Sequence, residues 1–327
     1  MSTIEVLSPG LLTTVQDLGR EGFGSMGVSP SGAADPIALR IGNRLAGNSE
    51  GAAGLEMTLL GGAFQFHRPC VGALTGSDFG ATLDGETVLA WASFEAKPGQ
   101  TLRLGPTRSG ARCYLCVQGG IVAKQFLGSG STHLLSGLGG HEGRSLRKGD
   151  VLKIGRLPEG EKKETGRKAG STGTTRHPRK VPVTALKQFA PREVLRVTPG
   201  PQSNWFPRAA QKALYEGAYR VSEETNRMGL RLEGSSIPGG AHGEMISEGV
   251  SLGAIQIAAG GMPIILFVEQ QTTGGYAKIA NVVAADLSSL GQLRPRDEIR
   301  FELVSFATAR KLLIEQEKLL ACPDLIV

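Results

Sequence analysis

The sequence predicts a mainly β protein of the α+β class, with a few short helices. The chain of 327 residues contains 47 glycines and only 5% aromatic residues, which favours short strands and tight turns over long helices. A turn followed by an alternating apolar strand recurs at 97–104, 147–154 and 294–301. Only three segments have a helical pattern. No β-α-β alternation with a phosphate-binding glycine motif is present, so a Rossmann fold is excluded.

A basic segment divides the chain into two halves. Nine Lys or Arg and three acidic residues lie between Pro158 and Arg192, so this segment alone accounts for the net charge of +6. It is rich in Gly, Ser and Thr, which predicts a flexible linker over 156–193. The expected domains are therefore 1–155 and 194–327, each a β-barrel-like subdomain. Because the remainder is neutral, no folded basic face is predicted and no nucleic-acid partner is expected.

Three helices are predicted from their end signals and apolar spacing. The first follows an N-cap at Asp35, has Pro36 in its first turn and ends at Gly47. Its apolar face is formed by Ala38, Ile41 and Leu45. The second is predicted over 206–215 and the third over 308–320.

Neither a membrane span nor an export signal is predicted. The apolar run 253–268 is interrupted by Gln256, by a diglycine and by Pro263, and so indicates two buried strands. The N-terminus lacks a basic region followed by an apolar core. The four cysteines lack disulfide-framework spacing, which favours a reducing cytoplasm. Cys113 and Cys116 lie within a strand pattern, so core packing is favoured over a metal or redox role.

Familiar catalytic motifs are absent from the sequence. There is no H-E-x-x-H, and the five histidines are scattered, so no metal is expected. There is no nucleophile elbow and no P-loop, so any ATP site is of another type. There is also no biotin attachment sequence, so any biotin would arrive on another chain.

The densest set of functional residue types follows the predicted strand 264–268. Uncharged donors and acceptors, a diglycine and a lysine suit a ligand rich in amide, carbonyl or phosphate oxygens. The candidates are Gln270, Gln271, Thr272, Tyr276 and Lys278. Arg227, beside a glycine turn, is a candidate for holding an anionic group. The alternative is a hairpin tip that satisfies its own backbone.

A second set of candidates lies in the first half. Gln16, Asp17 and Arg20 fall in a glycine-rich stretch, where Arg20 suits a carboxylate or phosphate and Asp17 would orient it. Glu56 lies among apolar residues and is a candidate buried carboxylate. The alternatives are a surface turn with a local ion pair, and a carboxylate that is simply paired.

Taken together, the motifs resemble a known family. TTVQDLGR, GVSPSGAAD, GNRLAGN, LEMTLLGG, VQGGI, LGSGST, GPQ, NRMGLRLEG, EGVSLGAIQI and EQQTTGGYAKIA occur in the family's order. The chain is similar to the carboxyltransferase-like allophanate hydrolase subunit 2 family, which includes the C subunit of bacterial 5-oxoprolinase, the antagonist KipA and part of urea carboxylase. The resemblance covers nearly the whole chain except the basic segment.

The resemblance implies cyclophilin-like β-barrel subdomains and three alternative functions. The first is the C subunit of an ATP-dependent 5-oxoprolinase, which opens the 5-oxoproline lactam to L-glutamate together with a KipI-like B subunit and a lactam-hydrolase A subunit. The second is the carboxyltransferase part of a biotin-dependent urea or amide carboxylase, or of an allophanate hydrolase system, with biotin on another chain. The third is a KipA-like antagonist that only binds a KipI-like partner.

The chain departs from the family pattern at several positions. Asn226 replaces an aspartate, and Glu269 replaces the aspartate of the D-x-Q-T motif. Gly130 replaces the arginine of L-G-S-R-S-T. Ala258 and Ala277 replace two prolines. The loss of the arginine and of an aspartate affects the anion site and predicts a divergent member with an altered substrate or reduced activity.

Overall fold

The computed structural model describes residues 2–156, 178–238 and 245–327. The chain divides into two compact units. The first comprises Met1–Leu18, Ile37–Lys187 and Pro323–Val327, and the second comprises Gly19–Pro36 and Gln188–Cys322.

The first unit is built from eleven described strands. They are β1 (Ser2–Ser8), β2 (Leu12–Gln16), β3 (Gly54–Thr58), β4 (Ala63–Phe66), β5 (Cys70–Gly76), β6 (Thr82–Leu83), β7 (Glu86–Thr87), β8 (Ala92–Ala96), β9 (Thr101–Arg103), β10 (Arg112–Val117) and β11 (Val151–Ile154). One antiparallel sheet has the order β11-β1-β4-β9-β6-β7, and the other has the order β2-β3-β10-β5-β8. A single apolar cluster contains side chains from both sheets, so the sheets pack face to face as a sandwich.

The second unit contains a closed seven-stranded barrel. Its described strands are β12 (Val194–Pro199), β13 (Tyr219–Val221), β14 (Gly229–Gly234), β15 (Glu248–Gly249), β16 (Ala254–Ile257), β17 (Pro263–Leu266), β18 (Thr273–Gly274), β19 (Lys278–Val282) and β20 (Glu298–Leu303). The barrel order is β12-β19-β16-β17-β14-β13-β20, and the parallel pair β12–β20 closes it. β15 and β18 form a separate two-stranded ladder. The barrel interior is a second apolar cluster.

The helices are few, as the sequence predicts. They are α1 (Pro36–Ala46), α2 (Val183–Leu186), α3 (Arg208–Glu216), α4 (Leu287–Gln292) and α5 (Phe306–Leu320). α1 begins and ends as predicted, and its predicted apolar face is fully buried. The predictions for α3 and α5 are correct to within two residues, because end signals such as Gly217 and Ser305 are local.

The mainly β class is therefore confirmed, whereas the expectation of a barrel in each half is met only in the second unit. In the first unit the described strands form two sheets. The two units also differ from the predicted domains, because residues 19–36 belong to the second unit. There the Ser31 amide donates to the Val268 carbonyl over 2.8 Å.

The C-terminal part of the predicted linker belongs to the folded units. Residues 157–177 lie outside the described residues. Residues 178–187 belong to the first unit, where Lys180 pairs with Ala92 and exchanges backbone hydrogen bonds with Val327. These pairings are long-range, and composition alone does not reveal them.

Candidate functional site

The candidate site of the second unit lies where β17 ends and the chain returns through β18 to β19. Register places Glu248 opposite Gly274 and Gly249 opposite Thr273, and the Val250 amide donates to the Thr272 carbonyl over 3.1 Å. The ladder of β15 and β18 thus holds the segment 269–277 by its backbone. Along this segment Gln271, Thr273 and Tyr276 are exposed and Thr272 is half-buried.

Lys278 is the buried cation of this site. Its side chain is only 3% exposed, and its ammonium nitrogen lies 2.7 Å from Oε1 of Glu248. Gln202 supports both partners, since its Nε2 donates to Glu248 over 2.7 Å and its Oε1 accepts from the Lys278 amide over 3.1 Å. The close contact with the Lys278 ammonium, together with the hydrogen bond from Gln202, lowers the pKa of Glu248. An ion pair is thereby fixed beside the polar segment.

Gln256 lies next to Lys278 on the neighbouring strand. The two residues are paired in register between β16 and β19, while Ile255 and Ile257 point into the barrel core. Because side chains alternate along a strand, Gln256 faces away from that core. It is nevertheless 2% exposed, and its Nε2 has no hydrogen-bond partner among the described residues.

Gly274 brings two amide groups together. A Cβ built on this glycine would lie 2.6 Å from Nε2 of Gln256 and 2.9 Å from Nε2 of Gln271. Both nitrogens therefore lie close to Gly274, which has no side chain to displace them. Fixed amide donors suit an acceptor oxygen, such as that of a polarised carbonyl.

Gln270 contributes a buried acceptor to the same segment. It is 5% exposed, and its Nε2 donates over 3.5 Å to the Val250 carbonyl. Its Oε1 has no partner among the residues that the structure describes.

Arg227 lies in a buried ion pair at the start of the segment. Its Nε is 2.5 Å from Oε1 of Glu269, and its NH2 group donates to the Gly32 carbonyl over 2.7 Å. The Glu269 amide in turn donates to the Arg227 carbonyl over 2.8 Å. Both side chains are at most 6% exposed. The guanidinium is thus engaged by the protein, and its geometry suits positioning of the segment.

The remaining candidates are divided between the two units. Arg20 belongs to the second unit and is buried, with its amide donating to the Pro30 carbonyl. Gln16, Asp17 and Glu56 belong to the first unit.

Asp17 is enclosed by the LGSGST loop of the first unit. Its carboxylate accepts from the Ser129 hydroxyl at 2.6 Å, from the Gly130 amide at 2.6 Å and from the Ser131 hydroxyl at 2.5 Å. Asp17 therefore orders this loop, in which glycine occupies the position where the family has arginine.

Gln16 and Glu56 lie in a buried polar row of the five-stranded sheet. Oε2 of Glu56 accepts from the Tyr114 hydroxyl over 2.7 Å, and its Oε1 lies 3.6 Å from Nε of Arg112. Gln16 donates to Thr14 and to the Thr132 carbonyl, while its Oε1 has no partner among the described residues.

Sequence reasoning missed three members of the second-unit site, namely Gln202, Glu248 and Gln256. Gln202 and Gln256 each carried a signal, because both are amides at or within apolar strands, in GPQ and GAIQI. Glu248 carried none, since its contact with Lys278 depends on the pairing of β15 with β18.

The described residues contain neither a candidate metal site nor a membrane-spanning helix. No group of three or more His, Cys, Asp or Glu is arranged to hold a metal ion. Within the described chain, no helix has the length and apolar character needed to cross a membrane.

Comparison with known proteins identifies the family of this chain. Residues 26–303 match the family described as "Carboxyltransferase domain, subdomain A and B". The chain is 37% identical over 315 residues to the 5-oxoprolinase C subunit of Escherichia coli, covering 96% of both chains. It is 36% identical over 309 residues to the 5-oxoprolinase C subunit of Haemophilus influenzae, covering 94% of both.

A solved structure shows the same fold within a larger chain. The crystal structure of the K. lactis urea amidolyase superposes with a TM-score of 0.85 at 30% identity over 99% of this chain. This chain spans 21% of the length of that urea amidolyase chain. Because the family match extends over most of the chain, and two relatives match it over nearly their full length, the chain belongs to the family of carboxyltransferase domains, subdomains A and B.

Proposed function

We propose that this protein is the C subunit of an ATP-dependent 5-oxoprolinase, which opens the lactam of 5-oxoproline to L-glutamate. One observation carries the proposal. The chain matches two bacterial 5-oxoprolinase C subunits over 94–96% of their own length, whereas it spans only about a fifth of the urea amidolyase structure. The match to these C subunits therefore extends over nearly their full length.

The second-unit site supports this chemistry. A lactam carbonyl gains negative charge as it is attacked, and fixed donors stabilise that charge. In the proposal, Gln271, Thr272, Tyr276 and Lys278 act on the reacting group, and Gln270 binds substrate. Arg227 positions the segment through Glu269.

The first-unit candidates have supporting roles in the proposal. Gln16, Asp17 and Glu56 are assigned to substrate or partner binding in that unit, as is Arg20 in the second unit. The barrel of the second unit is assigned to the cyclophilin-like type that the resemblance implies.

The proposal requires sister chains. Both relatives are named as C subunits, which implies other subunits, and we take these to be a KipI-like B subunit and a lactam-hydrolase A subunit. ATP would act through the complex, since the sequence contains no P-loop. The proposed location of the complex is the cytoplasm, and the chain is proposed to be inactive alone.

A second candidate is the carboxyltransferase part of a urea or amide carboxylase, with biotin carried by another chain. The K. lactis urea amidolyase structure favours it, because the fold match extends over 99% of this chain. A KipA-like antagonist role is the third alternative and needs no catalytic residue.

Reconstitution with the sister chains tests these alternatives. We expect ADP release that depends on 5-oxoproline, with L-glutamate as product, only when all three chains are present. ADP release with urea and bicarbonate, but not with 5-oxoproline, would instead support the carboxylase function. Binding to the KipI-like chain with no turnover of either substrate would support the antagonist.

A further inference from the structure

Two buried amide side chains of the second unit are incompletely satisfied, and they differ in what they lack. Gln256 has an unpartnered donor nitrogen, and Gln270 has an unpartnered acceptor oxygen, among the described residues. Leaving such groups unpaired in the interior costs free energy, so buried polar atoms without a partner require an explanation.

The two amides border the same small region around Val250. Nε2 of Gln270 contacts the Val250 carbonyl at 3.5 Å. A Cβ on Gly274 would lie 3.2 Å from Cγ1 of Val250 and 2.6 Å from Nε2 of Gln256. The amide groups of Gln256 and Gln270 therefore both lie near Val250, close to the exposed segment that carries Gln271.

A secondary amide has the complementary pair of groups, one carbonyl oxygen and one N–H. We propose that Gln256 and Gln270 recognise these two groups: Nε2 of Gln256 donates to the carbonyl oxygen of a lactam or ureido substrate, and Oε1 of Gln270 accepts from its N–H. This assignment rests on the proposed function and names the groups that recognise its substrate.

The assignment predicts discrimination between a lactam and a lactone. Replacing the ring N–H of 5-oxoproline by oxygen removes the group that Gln270 binds and leaves the carbonyl that Gln256 binds. A site with a buried acceptor rejects a ligand that cannot donate to it, because the acceptor is then left unpaired. We expect the reconstituted complex, titrated calorimetrically without ATP, to bind 5-oxoproline roughly tenfold to a hundredfold more tightly than the corresponding lactone.

Two substitutions separate the two roles. Gln270→Met should abolish the preference for lactam over lactone, because the acceptor is gone. Gln256→Met should weaken both ligands by a similar factor, since both keep the carbonyl. Gln188→Met, which replaces an exposed glutamine of the same unit, is the control and should change neither affinity.

Near-isosteric variants protect the test against misfolding. Gln270→Glu keeps an oxygen acceptor and should retain the preference, whereas Gln256→Glu replaces the donor by an acceptor and should lose binding. Melting temperatures show whether each variant is folded. If every variant at these positions unfolds, the wild-type comparison decides, and equal affinity for lactam and lactone overturns the inference.

The outcomes distinguish this inference from the proposed function. Turnover of 5-oxoproline, together with a lactam preference that survives Gln270→Met, overturns the inference alone. If 5-oxoproline neither binds nor turns over, the proposed function fails and the same variants are titrated with urea, which also has a carbonyl and N–H groups. Urea affinity that falls in both Met variants then supports the amide site, and urea affinity unchanged in both overturns it.

Discussion

At the scale of single residues, the second-unit site depends on a buried cation whose partner reaches solvent. Lys278 is 3% exposed and Glu248 is 45% exposed. An ammonium removed from water needs an anionic partner nearby, and Glu248 is that partner, held in place by a hydrogen bond from Gln202. The lowered pKa of Glu248 is the electrostatic counterpart of the same contact.

The pH dependence of stability follows from this contact. A carboxylate whose pKa is lower in the folded state adds stability above its unfolded pKa, and that stability is lost as the pH falls through the folded pKa. We therefore expect wild type to be more stable than Glu248→Gln at neutral pH. This difference in the free energy of unfolding should shrink as the pH falls below 4.5, the ordinary pKa of the Glu248 carboxyl. Urea unfolding at about pH 7 and about pH 3 measures it. A difference that grows on acidification would contradict the assignment.

Gly274 makes a second prediction at this scale. A methyl group at this position meets the Nε2 atoms of Gln256 and Gln271, which are the ends of flexible side chains and therefore move aside. We expect Gly274→Ala to leave the melting temperature nearly unchanged and to lower turnover of the reconstituted complex, by up to roughly a hundredfold if both donors are displaced. Gly249→Ala on the paired strand is the control, because its methyl group would meet no atom within 4 Å. Equal turnover of Gly274→Ala and Gly249→Ala would show that the amides of Gln256 and Gln271 do not contribute to the site.

The cysteines give a third residue-scale prediction. Burial raises the pKa of the Cys113 and Cys116 thiols, and it raises that of Cys70 to about 11. A thiol that stays protonated is a poor nucleophile. In the folded chain, iodoacetamide should therefore modify Cys322 first and leave Cys113 and Cys116 intact until unfolding. Peptide mass spectrometry identifies the order, and early labelling of either buried cysteine would contradict the core assignment.

At the scale of elements, one ion pair joins the turn before β14 to the segment after β17. Arg227 and Glu269 are at most 6% exposed, and Arg227 also donates to the Gly32 carbonyl. Removing one member of a buried pair leaves an uncompensated charge, whereas removing both leaves none. The sequence made Arg227 a candidate for holding an anionic ligand, but in the structure its guanidinium is paired with the protein's own Glu269.

The corresponding prediction compares single and double substitutions. Arg227→Met should destabilise the chain by about 3–5 kcal/mol, and adding Glu269→Leu should recover much of that loss. Arg296→Met is the control, since its pair with Glu223 has a similar distance of 2.6 Å but is 77% and 66% exposed, so its loss should cost less than about 1 kcal/mol. Denaturant unfolding measures all three variants. A double variant no better than Arg227→Met would show that the arginine acts through other contacts.

The sequence predicts features that depend on neighbouring residues, but it does not predict which strands pair. Helix ends were predictable because caps and glycines act within a few residues, as at Pro36 and Gly217. The polar segment could be picked out as a candidate for the same reason, since its residues are consecutive. Gln256 was missed because the register of β16 with β19 in the barrel brings it to Lys278. Glu248 was missed because the separate ladder of β15 and β18 brings it there.

At the scale of the whole molecule, charge and candidate chemistry lie in different parts of the chain. The segment 158–192 carries the entire net charge of +6, and no candidate site residue falls within it. Composition is enough to reveal this separation, because charge is additive along a sequence. Composition did not predict that 19–36 groups with the second unit, which depends on contacts such as that between Ser31 and Val268.

Neutralising part of the basic segment tests that separation. Replacing Lys162, Lys163, Arg167, Lys168 and Arg176 by glutamine removes five charges and lowers the formal net charge from +6 to +1. Because all five are charged residues of a polar stretch and none is a candidate site residue, we expect the melting temperature, complex assembly and 5-oxoproline turnover to be retained. Only retention on a cation-exchange column should fall, since that depends on net charge. Loss of assembly with unchanged melting temperature would instead identify the segment as a docking element for an acidic surface on a sister chain, and the charge would then belong to the function.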